Sequence, residues 1–258
     1  MDDAWVRAVV ALPFGLVIGS FMTVVVSRVP AGGSVIRPRS RCPSCGTPIR
    51  SRDNVPVLGW LLLRGRCRNC RQRISAVYPA LETVTAALFV AAFVVFDDLW
   101  VAALIAALLS LMPAITVIDI QHRIIPNRLM YPALIAFPAY VLVAFAAGGD
   151  VDPIRAALGL AIFGGGLFLV AAVSGGMGMG DVKLAALEGV ALGALGLRYV
   201  GVAAAAAILL GGLGGIVALL LGRGRRSAIP FGPYLAAGAV VAAFWGGPIA
   251  SSYLDTFS

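Results

Sequence analysis

The chain has 258 residues, of which 60% are hydrophobic and only 12% are charged. This composition excludes an ordinary soluble domain, in which about a quarter of the residues are charged, and predicts an all-α polytopic membrane protein. The net charge of +8 does not indicate nucleic-acid binding, because 11 of the 20 Lys and Arg residues lie between Arg28 and Arg73. One local basic loop is typical of a segment retained in the cytoplasm.

Apolar runs predict about eight transmembrane helices, of which the sixth is short and contains Glu188. The runs cover 5–27, 78–96, 99–118, 129–147, 156–174, 183–197, 200–221 and 233–250. With both termini outside, this arrangement places 17 of the 20 basic residues on the cytoplasmic side. That asymmetry favours eight spans, because a seven-span arrangement would invert every loop beyond the error.

The segment 28–76 is the one extended soluble region, and it holds all four cysteines: Cys42, Cys45, Cys67 and Cys70. Two C-x2-C pairs can supply four thiolates to a tetrahedral ion, as in a zinc ribbon, and leave no open position for catalysis. The alternatives are two disulfides, which a cytoplasmic location disfavours, or free thiols. We therefore predict three regions: a first helix at 1–27, a four-cysteine loop domain with structural zinc at 28–76, and a membrane domain at 77–258.

Two aspartates, Asp119 and Asp181, lie at the ends of very apolar segments that the topology places on the same side. An acidic residue beside a transmembrane segment is costly and marks a functional site by default. Two neighbouring carboxylates that share one proton could act as an aspartyl-protease-like pair. The alternative is structural: Asp119 would end the third span and pair with His122 or Arg123, and Asp181 would be a helix N-cap. The residues alone leave these alternatives equally open.

Other polar residues near these segments support either interpretation. The glycine-rich stretch 175–180 predicts irregular backbone, which is tolerated at a membrane only where it is buried in protein or lines a wet cavity. Lys183 would extend to the interface or modulate the charge of Asp181. Glu82 would pair with a loop arginine or line a site. His122, the single histidine, is expected to be a loop residue.

Six motifs in order along the chain resemble the bacterial prepilin peptidases, or type IV leader peptidases, of the GxGD aspartyl protease group. The motifs are GSFMTVVVSRVP (19–30), CPSCGTPIRSRDNVPVLGW (42–60), GRCRNCRQRISAVYPALE (65–82), IDIQHRIIPN (118–127), GGMGMGDVKLAALEG (175–189) and IPFGPYLA (229–236). The match extends nearly from end to end. Its specificity comes from the order of the motifs and from the paired-cysteine loop after the first span.

The resemblance implies a multi-pass enzyme of the bacterial inner membrane that cleaves the leader of type IV prepilins and pilin-like proteins on the cytoplasmic side. It implies catalysis by Asp119 and Asp181, with Gly178 and Gly180 as the glycines of the GxGD motif and Lys183 beside them. Many members also methylate the new N-terminus with S-adenosylmethionine, an activity associated with the N-terminal loop. The loop lacks a Gly-x-Gly-x-x-Gly motif, so the sequence places no cofactor site.

The chain departs from the family pattern at three points in or beside that loop. Thr23 stands where the family has asparagine, Asp53-Asn54-Val55-Pro56 replaces Glu-Asn-Ile-Pro, and Val77 stands where the family has arginine. The peptidase residues are untouched by these departures. The altered residues all belong to the region linked to methylation, so they bear on that second activity alone.

Two functions of other classes remain as alternatives. Membrane-embedded acids beside glycine-broken helices also occur in proton-coupled transporters, although both aspartates lie at the membrane edge rather than at its midplane. A non-catalytic assembly protein would use the four-cysteine loop to dock a partner, and its aspartates would be helix caps.

Overall fold

The computed structural model describes residues 2–174, 176–222 and 230–256. Gly175, the basic residues Arg223, Arg225 and Arg226, and Ile229 of the last motif lie outside the described residues. The described part is helical, with two isolated β-bridges and no β-strand, which confirms the predicted all-α fold. Its helices are α1 (Asp2–Arg28), α2 (Leu58–Leu62), α3 (Val77–Val95), α4 (Leu99–His122), α5 (Asn127–Ala146), α6 (Pro153–Gly159), α7 (Gly165–Ser174), α8 (Met179–Leu195), α9 (Leu197–Leu220) and α10 (Gly232–Asp255).

Seven helical segments in the described residues are long and apolar enough to cross a membrane: α1, α3, α4, α5, the combined segment Pro153–Ser174, α9 and α10. A π-helical turn at Leu160–Gly164 joins α6 to α7 without a break. The sixth predicted span corresponds to α8, which has 17 residues and is about 26 Å long at 1.5 Å per residue. The predicted segments thus all become helices, and α8 is the one shorter than the others.

Helix α8 is nonetheless the centre of the bundle. It contacts α4, α5, α6, α7, α9 and α10, and every residue from Leu187 to Ala194 is buried. Glycines allow this packing: a Cβ atom on Gly159 or Gly189 would overlap the backbone of the other residue's helix. Small residues permit such close backbone approach between membrane helices. The site is therefore built around a helix that has little freedom to move sideways.

Two contacts between residues far apart in the sequence mark the two ends of the bundle. At one end, Arg7 of α1 pairs with Asp97, which precedes α4. At the other end, the Arg128 guanidinium donates a hydrogen bond to the Gly32 carbonyl at 2.6 Å, which ties the start of α5 to the loop after α1. The four-cysteine loop, the C-terminus of α4 and the N-termini of α5, α8 and α10 all lie at this second end, hereafter the loop end.

Candidate active site

Asp119 lies in the last turn of α4 and is only 5% exposed. Its Oδ2 atom accepts a hydrogen bond from the Gly232 N–H at 2.9 Å, and Gly232 is the first residue of α10. The N-terminus of a helix offers unpaired N–H groups and the positive end of the helix dipole. The carboxylate of Asp119 is therefore held by the beginning of a helix that is 113 residues away in the sequence.

The contacts of Asp119 differ from those expected of a helix-end residue. Among the described residues, it forms no ion pair with Arg123 or His122, and its side chain is directed at α10 instead. Backbone conformation terminates helix α4, because Arg123, directly after its last residue, is left-handed with φ of 55°. Its N–H donates to the Asp119 carbonyl at 2.8 Å. The side chain of Asp119 is thus not needed to terminate α4.

Asp181 occupies the first turn of α8, but it is not the N-cap. That position belongs to Gly178, whose carbonyl accepts a hydrogen bond from the Asp181 N–H at 3.1 Å. Gly180 packs against the segment that links α4 to α5, since a Cβ atom there would lie 2.9 Å from Cβ of Ile125. The two glycines of the motif thus set the backbone around Asp181, and Gly180 has no room for a side chain.

The structure brings the two aspartates to the same end of the bundle, on helices α4 and α8, which contact each other. The carboxyl group of Asp181 lies within the electrostatic influence of Asp119. Asp119 is buried, whereas Asp181 is partly exposed. The arrangement is one in which the charge on one carboxylate disfavours a charge on the other.

Lys183 extends toward α5 and makes no ion pair with Asp181 among the described residues. Its Nζ donates to Asn127 Oδ1 at 2.6 Å and to the Tyr131 hydroxyl at 3.1 Å. It also lies 4.6 Å from the centre of the Tyr131 ring, within the range of a cation–π contact. Lys183 therefore connects the N-terminal parts of α8 and α5.

Gly232 is the residue of this site that sequence reasoning did not identify. A Cβ atom at this position would lie 2.7 Å from Asp119 Oδ2, so no other residue fits without displacing the carboxylate. The Gly-Pro pair at the start of the last apolar run is a local signal for a helix N-terminus. Nothing local, however, indicates which acid that N-terminus would meet.

The four cysteines come together as a candidate metal centre. Their Sγ atoms all lie within 4.8 Å of one another, and all four are free thiols. The Cys42 and Cys70 sulfurs are 3.8 Å apart, which is about the separation that a tetrahedral ion with Zn–S bonds of about 2.3 Å imposes. The cluster could therefore hold a metal ion, and the disulfide alternative does not apply to this structure.

The two cysteine pairs lie in matching turns. The Arg41–Pro48 bridge encloses the first pair and the Arg66–Arg73 bridge encloses the second. The residue after the second cysteine of each pair has a left-handed backbone, with φ of 67° at Gly46 and 60° at Arg71. Each turn directs backbone N–H groups toward its sulfurs, as metal-binding knuckles require.

Hydrogen bonds divide the thiols by acidity. Those from the side chain and backbone of Thr47 lower the pKa of Cys45 to about 6, and those from the Cys70 and Asn69 backbone lower the pKa of Cys67. A hydrogen bond from the Gln72 backbone acts likewise on Cys70, but desolvation and the neighbouring thiols outweigh it and raise its pKa to about 11. Two readily formed thiolates favour capture of a cation, which then displaces the remaining protons.

Two further carboxyl groups are buried. Glu82 pairs with no arginine in the part of the chain that the structure describes; its Oε2 accepts a hydrogen bond from the Val57 N–H at 2.7 Å and so anchors the loop before α2. Glu188 in α8 is fully buried, and neither of its carboxyl oxygens has a hydrogen-bond partner in the described residues.

Thr23, one of the departures from the family pattern, is buried in α1 and donates to the Ser20 carbonyl at 2.7 Å.

Comparison with known proteins matches residues 13–96 to the model of the bacterial peptidase A24 N-terminal domain and residues 103–220 to that of the type IV leader peptidase family. Three curated relatives carry the name prepilin leader peptidase/N-methyltransferase. The Bacillus subtilis protein is 37% identical over 93% of this chain and 95% of its own. The Aeromonas hydrophila protein is 34% identical over 98% and 96%. The Burkholderia pseudomallei protein is 36% identical over 92% and 85%. No solved structure matches the chain.

Proposed function

Because the chain belongs to the type IV leader peptidase family, we propose that it is a membrane-embedded aspartyl endopeptidase that cleaves the leader from type IV prepilins and pilin-like proteins. The observation that carries this proposal is the pair of carboxyl groups, Asp119 and Asp181, at the loop end of one helix bundle. The family and its relatives supply the substrate class; the pair supplies the chemistry.

In this mechanism the two aspartates have different roles. Burial disfavours charge on Asp119, and the Gly232 N–H and the N-terminus of α10 act against that cost by stabilising the carboxylate; we therefore assign Asp119 as the general base. Asp119 removes a proton from a water molecule, whose oxygen attacks the scissile carbonyl carbon. Asp181, kept neutral by burial and by the neighbouring charge, donates its proton to the carbonyl oxygen. Asp119 then gives the proton it took from water to the amide nitrogen, while Asp181 takes one from a hydroxyl of the tetrahedral intermediate. The C–N bond breaks, a carboxylic acid and an amine are released, and both aspartates regain their starting protonation states.

The substrate chain must be extended where it is cut, because a peptide bond inside a helix is shielded by its own hydrogen bonding. The non-helical residues 176–178 directly before α8 provide backbone groups next to Asp181 with which an extended segment could pair. A substrate complex in which the cleaved bond lies within a helix would refute this step.

The test uses purified enzyme in lipid vesicles and a full-length prepilin, with products identified by mass spectrometry. Asp119→Asn and Asp181→Asn should each abolish cleavage while leaving the helical content unchanged. Asp150→Asn, which alters an exposed acid at the opposite end of the bundle, is the matched control and should cleave normally. Normal cleavage by either active-site variant would exclude the proposed pair.

N-methylation of the new N-terminus with S-adenosylmethionine is the second candidate activity, and the names of the curated relatives favour it. Addition of S-adenosylmethionine to the same assay should increase the mass of the mature product by one methylene unit. Cleavage without this increase would mean that the chain is a peptidase alone. That outcome would implicate Thr23 and Val77, where the chain departs from the family pattern, in the absence of methylation.

The remaining assignments complete the proposal. The four cysteines hold a structural zinc ion that organises segment 28–76, since so small a loop has little core of its own. The membrane is the bacterial inner membrane, and the loop end faces the cytoplasm because the basic residues gather there. The functional division follows residues 1–27, 28–76 and 77–258.

A further inference from the structure

The four-cysteine loop carries an apolar surface that the bundle leaves uncovered. Helix α2 exposes Leu58, Leu61 and Leu62, with Leu62 at 79% exposure. Three exposed leucines within five residues are unusual for a loop surrounded by water, because each loses the stabilisation that burial gives an apolar side chain. These leucines therefore need an apolar environment outside the protein.

The position of α2 relative to the membrane supplies such an environment. The uncharged run of α1 between Arg7 and Arg28 has twenty residues, so it spans about 30 Å, the thickness of the membrane's apolar core. Glu82 packs its backbone against Gly19 inside this run and lies five residues into α3. Gly19 lies nine residues, or about 13 Å, from Arg28 at the loop end of the run. Since Glu82 also accepts the Val57 N–H, the start of α2 is held within side-chain reach of that depth, on the acyl side of the membrane boundary.

A basic cradle lies beside the leucines. A cavity of about 240 Å³ is lined by Leu62, Leu63, Arg64, Arg68 and Arg71. Arg68 is engaged by Asp53 through two short hydrogen bonds, whereas Arg64 and Arg71 make no ion pair in the described residues. Asp53 is also the only acid of segment 28–76, against eleven arginines from Arg28 to Arg73. The cradle thus holds positive charge that the loop itself does not neutralise.

We propose that this cradle binds the phosphate of an anionic phospholipid while the leucines of α2 enter the acyl region of the same leaflet. Arginine is suited to phosphate because its guanidinium group donates two parallel hydrogen bonds. A short element with leucines on one side and arginines beside them matches the boundary between headgroups and acyl chains. The site is separate from the aspartate pair, and it would fix the height of the cysteine loop over the membrane.

The test compares amide hydrogen exchange of residues 57–74 in the full-length protein in nanodiscs of phosphatidylcholine alone or mixed with phosphatidylglycerol. Exchange should be slower in the mixed discs. Arg64→Gln combined with Arg71→Gln should remove most of that protection, a loss of roughly 30-fold at about fivefold for each basic residue near an anionic leaflet. Arg37→Gln combined with Arg39→Gln removes the same charge from elsewhere in the loop and should retain the protection.

Several outcomes would overturn the proposal. Equal exchange of the wild-type protein in both lipids would exclude an anionic site, and an equal loss in the Arg37/Arg39 control would mean diffuse charge rather than a cradle. Full protection by soluble glycerol phosphate in phosphatidylcholine discs would identify a phosphate site without lipid docking. Photocrosslinking from p-benzoylphenylalanine in place of Leu62 gives an independent readout, and failure to label lipid would exclude α2 from the leaflet. None of these measurements depends on peptidase activity.

Discussion

Gly232→Ala tests whether the beginning of α10 holds Asp119, the proposed general base. The alanine Cβ atom would lie 2.7 Å from Asp119 Oδ2 and 3.2 Å from its Cγ, which is closer than nonbonded atoms approach. Either the carboxylate or the helix must shift, and the 2.9 Å hydrogen bond from the Gly232 N–H is lost. We expect the substitution to inactivate by displacing Asp119 rather than by unfolding the bundle.

The size of the effect follows from the bond that is lost. A hydrogen bond to a charged group contributes about 1.5–3 kcal/mol, and about 1.4 kcal/mol corresponds to a factor of ten in rate. If that contribution is expressed in the transition state, kcat should fall roughly 10- to 100-fold, with KM nearly unchanged. The helix-forming advantage of alanine over glycine is at most about 1 kcal/mol and offsets only part of that loss, so we expect a melting temperature lowered by a few degrees with the helical content unchanged.

The assay measures initial rates of prepilin cleavage in vesicles over a range of substrate concentrations. Gly247→Ala is the matched control: it lies on the same helix, and its Cβ atom would meet only the Tyr199 hydroxyl at 3.4 Å, an ordinary contact. A kcat within twofold of wild type for Gly232→Ala would refute the reasoning, and so would an equal loss in the control.

Three other substitutions test separate parts of the structure. Gly180→Val should lower kcat, because its side chain would collide with Ile125; wild-type rates would show that the start of α8 can shift freely. Cys45→Ala should release the metal, measured by elemental analysis, and speed proteolysis of the loop while circular dichroism of the helices is unchanged; retention of a full equivalent of metal would exclude the four-sulfur site. Glu188→Met removes a buried, unpaired carboxyl group, and relief of its desolvation, about 1–3 kcal/mol, should raise the melting temperature by several degrees; a lower melting temperature would mean that Glu188 has a partner.

Hydropathy predicted the helices well because each one buries its own backbone hydrogen bonds, whatever its neighbours. The start of the last helix was predicted at residue 233 and lies at Gly232, and the start of the third was predicted at 99 and lies at Leu99. The larger differences occur at helix ends near loops, as at the C-terminus of α10, which extends to Asp255. There, length is decided by local water contact rather than by the apolar core.

The contacts of the candidate site were less predictable. The sequence identified Asp119 and Asp181 as candidate site residues, but the structural partners it indicated for them were local, such as a helix cap or Arg123. Sequence patterns reveal neighbours along the chain and do not reveal contacts between distant helices. The structure gives Asp119 a partner on α10 and gives Glu82 the backbone N–H of Val57. Both bonds join residues far apart in the chain, so they depend on how the helices pack.

The length of α8 connects topology to catalysis. Its 17 residues reach about 26 Å, roughly 4 Å less than the apolar thickness of a bilayer, and the helix is shielded from lipid by its neighbours rather than by its own length. Its far end is fixed by the hydrogen bond from the Asp152 N–H to the Ala194 carbonyl at 3.0 Å. The missing length of α8 is therefore at the loop end, where residues 176–178 are not helical and Asp181 is only partly buried. A span of full length would bring its first turn to the membrane surface, whereas the shorter helix leaves the partly exposed Asp181 below that level, at the end of the bundle where the four-cysteine loop lies.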